Sequence, residues 1–162
     1  MQLLASSLKP SVVIDFAHTP DALSKALHGM RQHMDSTSRL WCVFGCGGDR
    51  DSGKRPLMGQ IASEMADKIV LTDDNPRGES SMQIIEQIQA GCPVGTDIHI
   101  EADRQRAIEY AVLDSALEDM VLIAGKGHEQ YQEVSGVKTP FNDYEIAMQA
   151  LQKRHSATRV TV

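Results

Sequence analysis

Ile69-Val-Leu-Thr-Asp-Asp-Asn-Pro-Arg-Gly-Glu79 passes from four strand-forming residues into two acids, an amide, a proline and an arginine, with a glycine to let the chain turn away. A strand that ends this way presents fixed charge at a sheet edge, which is where open α/β sheets bind their ligands. The reading of this stretch decides the rest: the chain is organised around a strand end that recognises a small charged molecule.

The same pattern recurs on both sides of it. Upstream, Leu40-Trp-Cys-Val-Phe44 is an apolar strand run followed by the glycine-rich, charged loop Gly45 to Arg55. Pro56 then opens a helix with Met58, Ile61, Ala62 and Met65 on one stripe. Further upstream, Val12 to Phe16 reads as a strand buried on both faces. Thr19 suits a helix N-cap and Pro20 the first helical position, with Leu23, Ala26, Leu27, Met30 and Met34 at helical spacing. Downstream, Ser80-Ser-Met-Gln83 has a capping-box pattern ahead of Ile84, Ile85 and Ile88. Ile98 to Ile100 forms a short strand, and Asp103 caps a helix carrying Ile108, Ala111 and Val112. Met120 to Ala124 is another buried strand, ending in Gly125-Lys-Gly-His-Glu129. Tyr131 to Val134 and Val137 to Thr139 flank Ser135-Gly136 as an antiparallel pair, and Asn142 with Glu145 caps a last helix.

Strands alternating with helical patterns predict a doubly wound, mainly parallel α/β sheet with helices on both faces, Rossmann-like, with an antiparallel edge strand. Residues 1–10 read as a linker, 11–152 as one domain and 153–162 as a fraying tail. His18, the Gly45 to Arg55 loop, the Asp73 to Glu79 turn and Gly125 to Glu129 each follow a strand directly, so they are expected to converge on one crevice.

With 41% hydrophobic residues in 162, the chain can bury one sizeable core. A formal net charge of −6 and only 4% aromatic residues argue against a nucleic-acid surface. Three cysteines without paired spacing suggest neither a zinc site nor a disulfide framework, which suits a reducing cytoplasm. No segment reaches the roughly 20 apolar residues of a membrane span.

The loop after Phe44 tempts a P-loop reading because Gly48 to Lys54 has the right spacing. Arg55, however, stands where that motif needs a hydroxyl for Mg²⁺. The better reading is that the glycines expose Arg50 and Lys54 toward an anionic group, against a plain solvated loop. In Asp74-Asn75-Pro76-Arg77, Arg77 offers a planar fork for a carboxylate and Pro76 holds the turn rigid. The residue types equally allow a turn in which Asp and Asn satisfy backbone groups. Glu129 and a free Gly125 carbonyl can receive an ammonium, whereas His128 reads as satisfied by its neighbours. His18 suits a nucleotide contact or a helix-entry role; His28, His33, His99 and His155 read as surface.

Four motifs in order, Asp15-Phe-Ala-His-Thr-Pro20, Phe44-Gly-Cys-Gly-Gly-Asp-Arg-Asp51, Asp73-Asp-Asn-Pro-Arg-Gly-Glu79 and Gly125-Lys-Gly-His-Glu129, resemble the C-terminal domain of the Mur ligase family. The likeness runs from about Val12 to Leu151 and is to the branch (MurE) that adds meso-diaminopimelate to UDP-N-acetylmuramoyl-L-alanyl-D-glutamate in peptidoglycan synthesis. Asp74 to Arg77 resembles that branch's diaminopimelate-recognition motif, whose arginine lysine-adding relatives lack. The resemblance implies an amino-acid site at Arg50, Asp74, Asn75, Pro76, Arg77, Gly125 and Glu129, and implies that Asp15 and His18 face ATP. It implies ATP and Mg²⁺ bound mainly by preceding domains, no metal site or catalytic base here, and a cytoplasmic monomer inactive as an isolated domain. A free-standing amino-acid or nucleotide-binding module is the rival reading, with a sister Mur ligase or folylpolyglutamate synthase as alternatives within the enzymes.

Overall fold

The computed structural model describes residues 1–4 and 8–159. The elements in chain order are β1 (Gln2–Leu3), β2 (Ser11–Asp15), α1 (Pro20–Arg31), β3 (Leu40–Phe44), α2 (Lys54–Met65), β4 (Lys68–Leu71) and α3 (Ser81–Gln89). They continue with β5 (Ile98–Ile100), α4 (Arg104–Asp114), β6 (Met120–Ala124), β7 (Tyr131–Val134), β8 (Val137–Pro140) and α5 (Asp143–Arg159). Six strands form one sheet in the order β1-β2-β6-β3-β4-β5, parallel throughout except for β1, which runs antiparallel to β2. The antiparallel edge strand thus comes from Gln2 and Leu3, within the stretch expected as a linker. The Ser135-Gly136 hairpin forms a separate two-stranded sheet.

The strands are apolar at nearly every position because both faces are covered. Alternate residues divide between two cores. Val13, Cys42, Phe44, Ile69, Leu71 and Leu122 pack with α1, α2 and α3 through Leu23, Leu27, Met58, Ala62, Ile84 and Ile88. Val12, Ile14, Trp41, Val43, Val70 and Ile123 pack on the other face with α4 and α5 through Ile108, Ala111, Val112, Ala147 and Leu151. Such two-sided burial makes the register of each strand strongly specified. Cys42, Cys46 and Cys92 are free thiols; burial pushes Cys46 up to about 11.

Local signals were mostly realised. Thr19 caps α1, its Oγ1 accepting the Ala22 N–H at 3.3 Å, and Asp103 caps α4 through the Arg106 N–H at 3.1 Å. Four differ. α2 begins at Lys54, so Pro56 is its third residue rather than its first, where its missing N–H is still one that the helix would leave unbonded. Met34 lies beyond the end of α1, although it packs against the core. Ser80 is the N-cap of α3 but makes no side-chain cap bond. Residues 153–159, expected to fray, continue α5, where Arg154 Nη1 donates to the carbonyls of Val112 and Leu113 at 2.8 and 2.7 Å; residues 160–162 lie outside the described ones.

Candidate functional site

The focal turn leaves β4 between β3 and β5 and is bonded on every side. Thr72 N–H donates to Phe44 O at 3.0 Å, and Asp73 Oδ2 accepts the Ser81 hydroxyl at 2.6 Å. The other Asp73 oxygen is buried without a hydrogen-bond partner among the described residues, and burial raises that carboxyl above the ordinary aspartate range. Asp74, 7% exposed, is likewise raised by burial, opposed by the positive charges of Arg104 and Lys126. Asn75 is buried and acts as a cross-link: Oδ1 accepts from Lys126 Nζ and the Glu133 N–H, both at 2.9 Å, and Nδ2 donates to Glu129 Oε2 at 3.0 Å. Arg77 has φ of 51°, a left-handed conformation that costs a non-glycine residue about 1 kcal/mol or more. The hairpin holds it there, with Arg77 N–H donating to Glu133 O at 3.1 Å and Ser135 N–H donating to Arg77 O at 2.7 Å.

The glycines of the neighbouring loop are explained by this turn. A Cβ on Gly45 would lie 2.0 Å from Thr72 O, and one on Gly48 1.9 Å from Pro76 O. Their bareness lets the loop dock against the turn, so Gly48 N–H reaches Asn75 O at 2.9 Å. Arg55, read as the residue that breaks a P-loop match, is fully buried and grips Glu79 with two parallel bonds of 2.8 Å, adding Gln87 Oε1 at 2.7 Å and Gly47 O at 3.0 Å. Hydrogen bonding to that guanidinium holds Glu79 down to about 2.

Around these contacts lies an open cavity of about 440 Å³. It is lined by Arg50, Asp74, Asn75, Arg77, Gly125, Glu129 and His18, joined by Phe16, Thr19, Gly47, Asp51 and Lys54. The four strand ends therefore meet in one crevice, as expected from their positions. Pro76 and Asp15 are not in the lining: Pro76 meets Gly48, and Asp15 Oδ1 accepts the Ala17 N–H at 2.8 Å, shaping the exit from β2. His18 is exposed, with Nδ1 paired to Phe16 O at 2.9 Å, and its own carbonyl accepts from Lys54 Nζ at 2.7 Å. His99 is not free surface: it stacks on Tyr110 with ring centroids 3.8 Å apart.

The cavity lining carries charge of both signs, Asp51 and Lys54 included. Arg50 and Arg77 stand on the side of the β3 and β4 loops; Arg77 Nη1 donates to Gly48 O at 3.0 Å and Nε lies 3.5 Å from Glu133 Oε2. Arg50 bonds only to Asp49 O, at 2.9 Å, leaving most of its donors open among the described residues. Asp74, on the β4 turn, and Glu129, after β6, supply negative charge, and Lys126 Nζ approaches both. Such a site suits a molecule carrying both carboxylate and ammonium groups. Among the described residues no cluster of His, Cys, Asp or Glu is arranged to hold a metal ion.

Two supports escaped the sequence reading. Lys126, 1% exposed, donates to Asn75 Oδ1 and Glu129 Oε2, both at 2.9 Å. Its signal was present: a lysine between glycines of positive φ, 115° and 54°, at the end of a wholly apolar strand. Arg104, completely buried, meets Asp143 with Nε and Nη2 at 2.8 and 2.7 Å and donates to the carbonyls of Asp73 and Ala124, both at 3.0 Å. It ties the ends of β4 and β6 to the start of α5. In sequence it follows a helix cap and looks like an ordinary solvated arginine.

Comparison with known proteins gives a consistent result. The family described as "Mur ligase, glutamate ligase domain" matches residues 1–127. The UDP-N-acetylmuramoyl-L-alanyl-D-glutamate--2,6-diaminopimelate ligase of Chromobacterium violaceum is 53% identical over 151 residues, covering 93% of this chain and 30% of that protein. The protein of the same name from Neisseria meningitidis serogroup A is 54% identical over 154 residues, covering 95% and 31%. A solved structure of a ligase of that name superposes with a TM-score of 0.88 at 43% identity, over 96% of this chain and 31% of the other. E. coli FolC in complex with ADP has a TM-score of 0.57 at 21% identity, over 93% and 31%, a likeness of fold alone. The chain spans about 30% of the length of the curated relatives it matches.

Proposed function

The chain belongs to the Mur ligase family, and on that premise we propose that it is the domain of an ATP-dependent ligase that receives meso-diaminopimelate for addition to UDP-N-acetylmuramoyl-L-alanyl-D-glutamate. The observation that supports this reading is that the cavity brings the cations Arg50 and Arg77 together with the anions Asp74 and Glu129 from three strand ends. Diaminopimelate has two ammonium and two carboxylate groups. Arg77, backed by Arg50, takes the carboxylate farthest from the reacting amine; Glu129 and the Gly125 carbonyl take the neighbouring ammonium. Lysine has no such carboxylate and would leave Arg77 partly unpaired, which is how a buried polar site rejects an analogue.

In the reaction, the carboxylate of the nucleotide-linked dipeptide is phosphorylated by ATP to an acyl phosphate, and the neutral amine of diaminopimelate attacks its carbonyl carbon, releasing ADP and phosphate. This domain contributes positioning, because a clamp at the far end keeps the amine close to the acyl carbon. Proton removal is assigned to no residue here. His18 and Lys54, at the α1 end of the cavity, are the groups suited to the nucleotide's phosphates, whereas Asp15 supports the loop behind them. Asn75 and Pro76 are assigned a part in shaping the site, and Mg²⁺ is assigned to domains outside this chain. No helix among the described residues is long and apolar enough to cross a membrane, and the reaction belongs in the cytoplasm, carried out by a monomer.

The test is Arg77→Ala in the full-length ligase. The KM for diaminopimelate is expected to rise about tenfold to a hundredfold, the loss of a charge-assisted pair, with the KM for ATP nearly unchanged. Equal losses for both substrates would overturn the assignment.

A further inference from the structure

The acids that would hold the substrate's ammonium are already touching one. Lys126 Nζ sits 2.9 Å from Glu129 Oε2, 2.9 Å from Asn75 Oδ1 and 3.8 Å from Asp74 Oδ1. It also lies 5.8 Å from the centre of the Tyr131 ring, so it is closed in from the hairpin side. It is 1% exposed and does not line the cavity, which puts it behind the wall. A buried ammonium without anionic partners is costly, so these contacts cannot be incidental to the fold.

Their arrangement has a definite consequence for Glu129. Oε2 accepts from Lys126 Nζ and also from Asn75 Nδ2 at 3.0 Å, while Oε1 has no hydrogen bond among the described residues. Asn75 in turn is held in one amide orientation, since Oδ1 receives two donors, Lys126 Nζ and the Glu133 N–H. Oε2 is therefore committed within the protein, and Oε1 is the oxygen left for a ligand of the cavity that Glu129 lines.

We propose that Lys126 is a positioning residue for the substrate's distal ammonium: from behind the wall it orients Asn75 and Glu129 so that one carboxylate oxygen faces the ligand. The positive charge also opposes the burial that raises Asp74, and it helps hold Glu129 below the ordinary glutamate range despite its partial burial. The lysine favours the charged form of both acids against the burial that disfavours it. Specificity for an ammonium thus depends on a second ammonium that the protein itself supplies.

The proposal rests on the diaminopimelate reading above, and the experiment separates the two. In the full-length ligase, wild type, Lys126→Met and Lys126→Gln are compared for kcat/KM with meso-diaminopimelate and with 2-aminopimelate, which keeps both carboxylates but lacks the distal ammonium. Lys126→Gln retains a hydrogen-bond donor and serves if the methionine variant does not fold, as judged by its melting transition. Wild type is expected to prefer diaminopimelate by about tenfold or more, and the lysine variants to lose most of that preference with the KM for ATP little changed. A merely structural role would depress both amino acids and ATP together and leave the preference intact, which would overturn the proposal. Failure of the wild-type enzyme to use diaminopimelate at all would instead overturn the functional reading on which it rests.

Discussion

The floor and the rim of the cavity use the same side-chain type to opposite ends. Arg104, in the floor, spends Nε, Nη1 and Nη2 on Asp143 and two strand-end carbonyls, and none of it is exposed. Arg50, on the rim, makes one bond to the carbonyl of the residue before it and is otherwise open among the described residues. Arg55 belongs with the floor by the same test, and Arg77 stands between, anchored by Nη1 but lining the cavity. What separates an arginine that builds the site from one that reads a ligand is how many donors the protein itself has already satisfied.

The largest expected effect would break that comparison if it were absent. Arg104→Met strands the Asp143 carboxylate in the interior and should cost about 3–5 kcal/mol in urea unfolding, whereas Arg50→Met should stay within about 0.5 kcal/mol. Adding Asp143→Leu to Arg104→Met should recover much of the loss, because a buried pair is worth less than the penalty of halving it. Near-equal costs for Arg104 and Arg50 would erase the distinction between floor and rim.

A second measurement sharpens the comparison through pH. Glu79 is held from the ordinary 4.5 down to about 2 by the Arg55 guanidinium. A depressed carboxylate contributes its stability fully above the unfolded value and loses it as pH falls toward the folded one. The chain should therefore lose stability between about pH 4.5 and about 2 in part through this pair. Glu79→Gln should show a flatter acid limb in urea midpoints taken at pH 6 and pH 3; an unchanged limb would remove Arg55 from the floor. The smallest effects concern the two helix starts near the site. Thr19→Ala, which deletes a real cap bond, should cost about 1 kcal/mol, and Ser80→Ala, where the hydroxyl makes no cap bond, should be within about 0.5 kcal/mol. A thermal shift for Ser80→Ala as large as that for Thr19→Ala would show that the capping-box pattern operates after all.

Much of the fold was legible because the relevant forces are local and periodic. Apolar runs such as Leu40 to Phe44 and Met120 to Ala124 are continuous because helices cover both faces of a parallel sheet, and the stripes on α1 and α3 repeat at the helical period. Where the reading slipped, a local rule met a tertiary competitor. Around Ser80, the neighbouring Ser81 hydroxyl goes to Asp73 and the Ser80 side chain makes no cap bond. Gly45 and Gly48, thought to open Arg50 and Lys54 toward an anion, also answer to backbone 1.9 to 2.0 Å from where a side chain would begin. The candidate site was legible as a set of strand ends, since parallel strands put all ends of one polarity on one edge.

By itself, the order of apolar runs, caps and polar strand ends determined the doubly wound layers, the edge on which the crevice lies and the charged residues that follow each strand there. Only the tertiary structure decided which of those charges face the crevice and which are consumed beneath it, as Lys126 is by Asn75 and Glu129 and Arg104 by Asp143. The reason is that Lys126 and Arg104 draw decisive partners from other elements, 51 and 39 residues away along the chain. Residue type and local spacing carry no record of pairings over that separation.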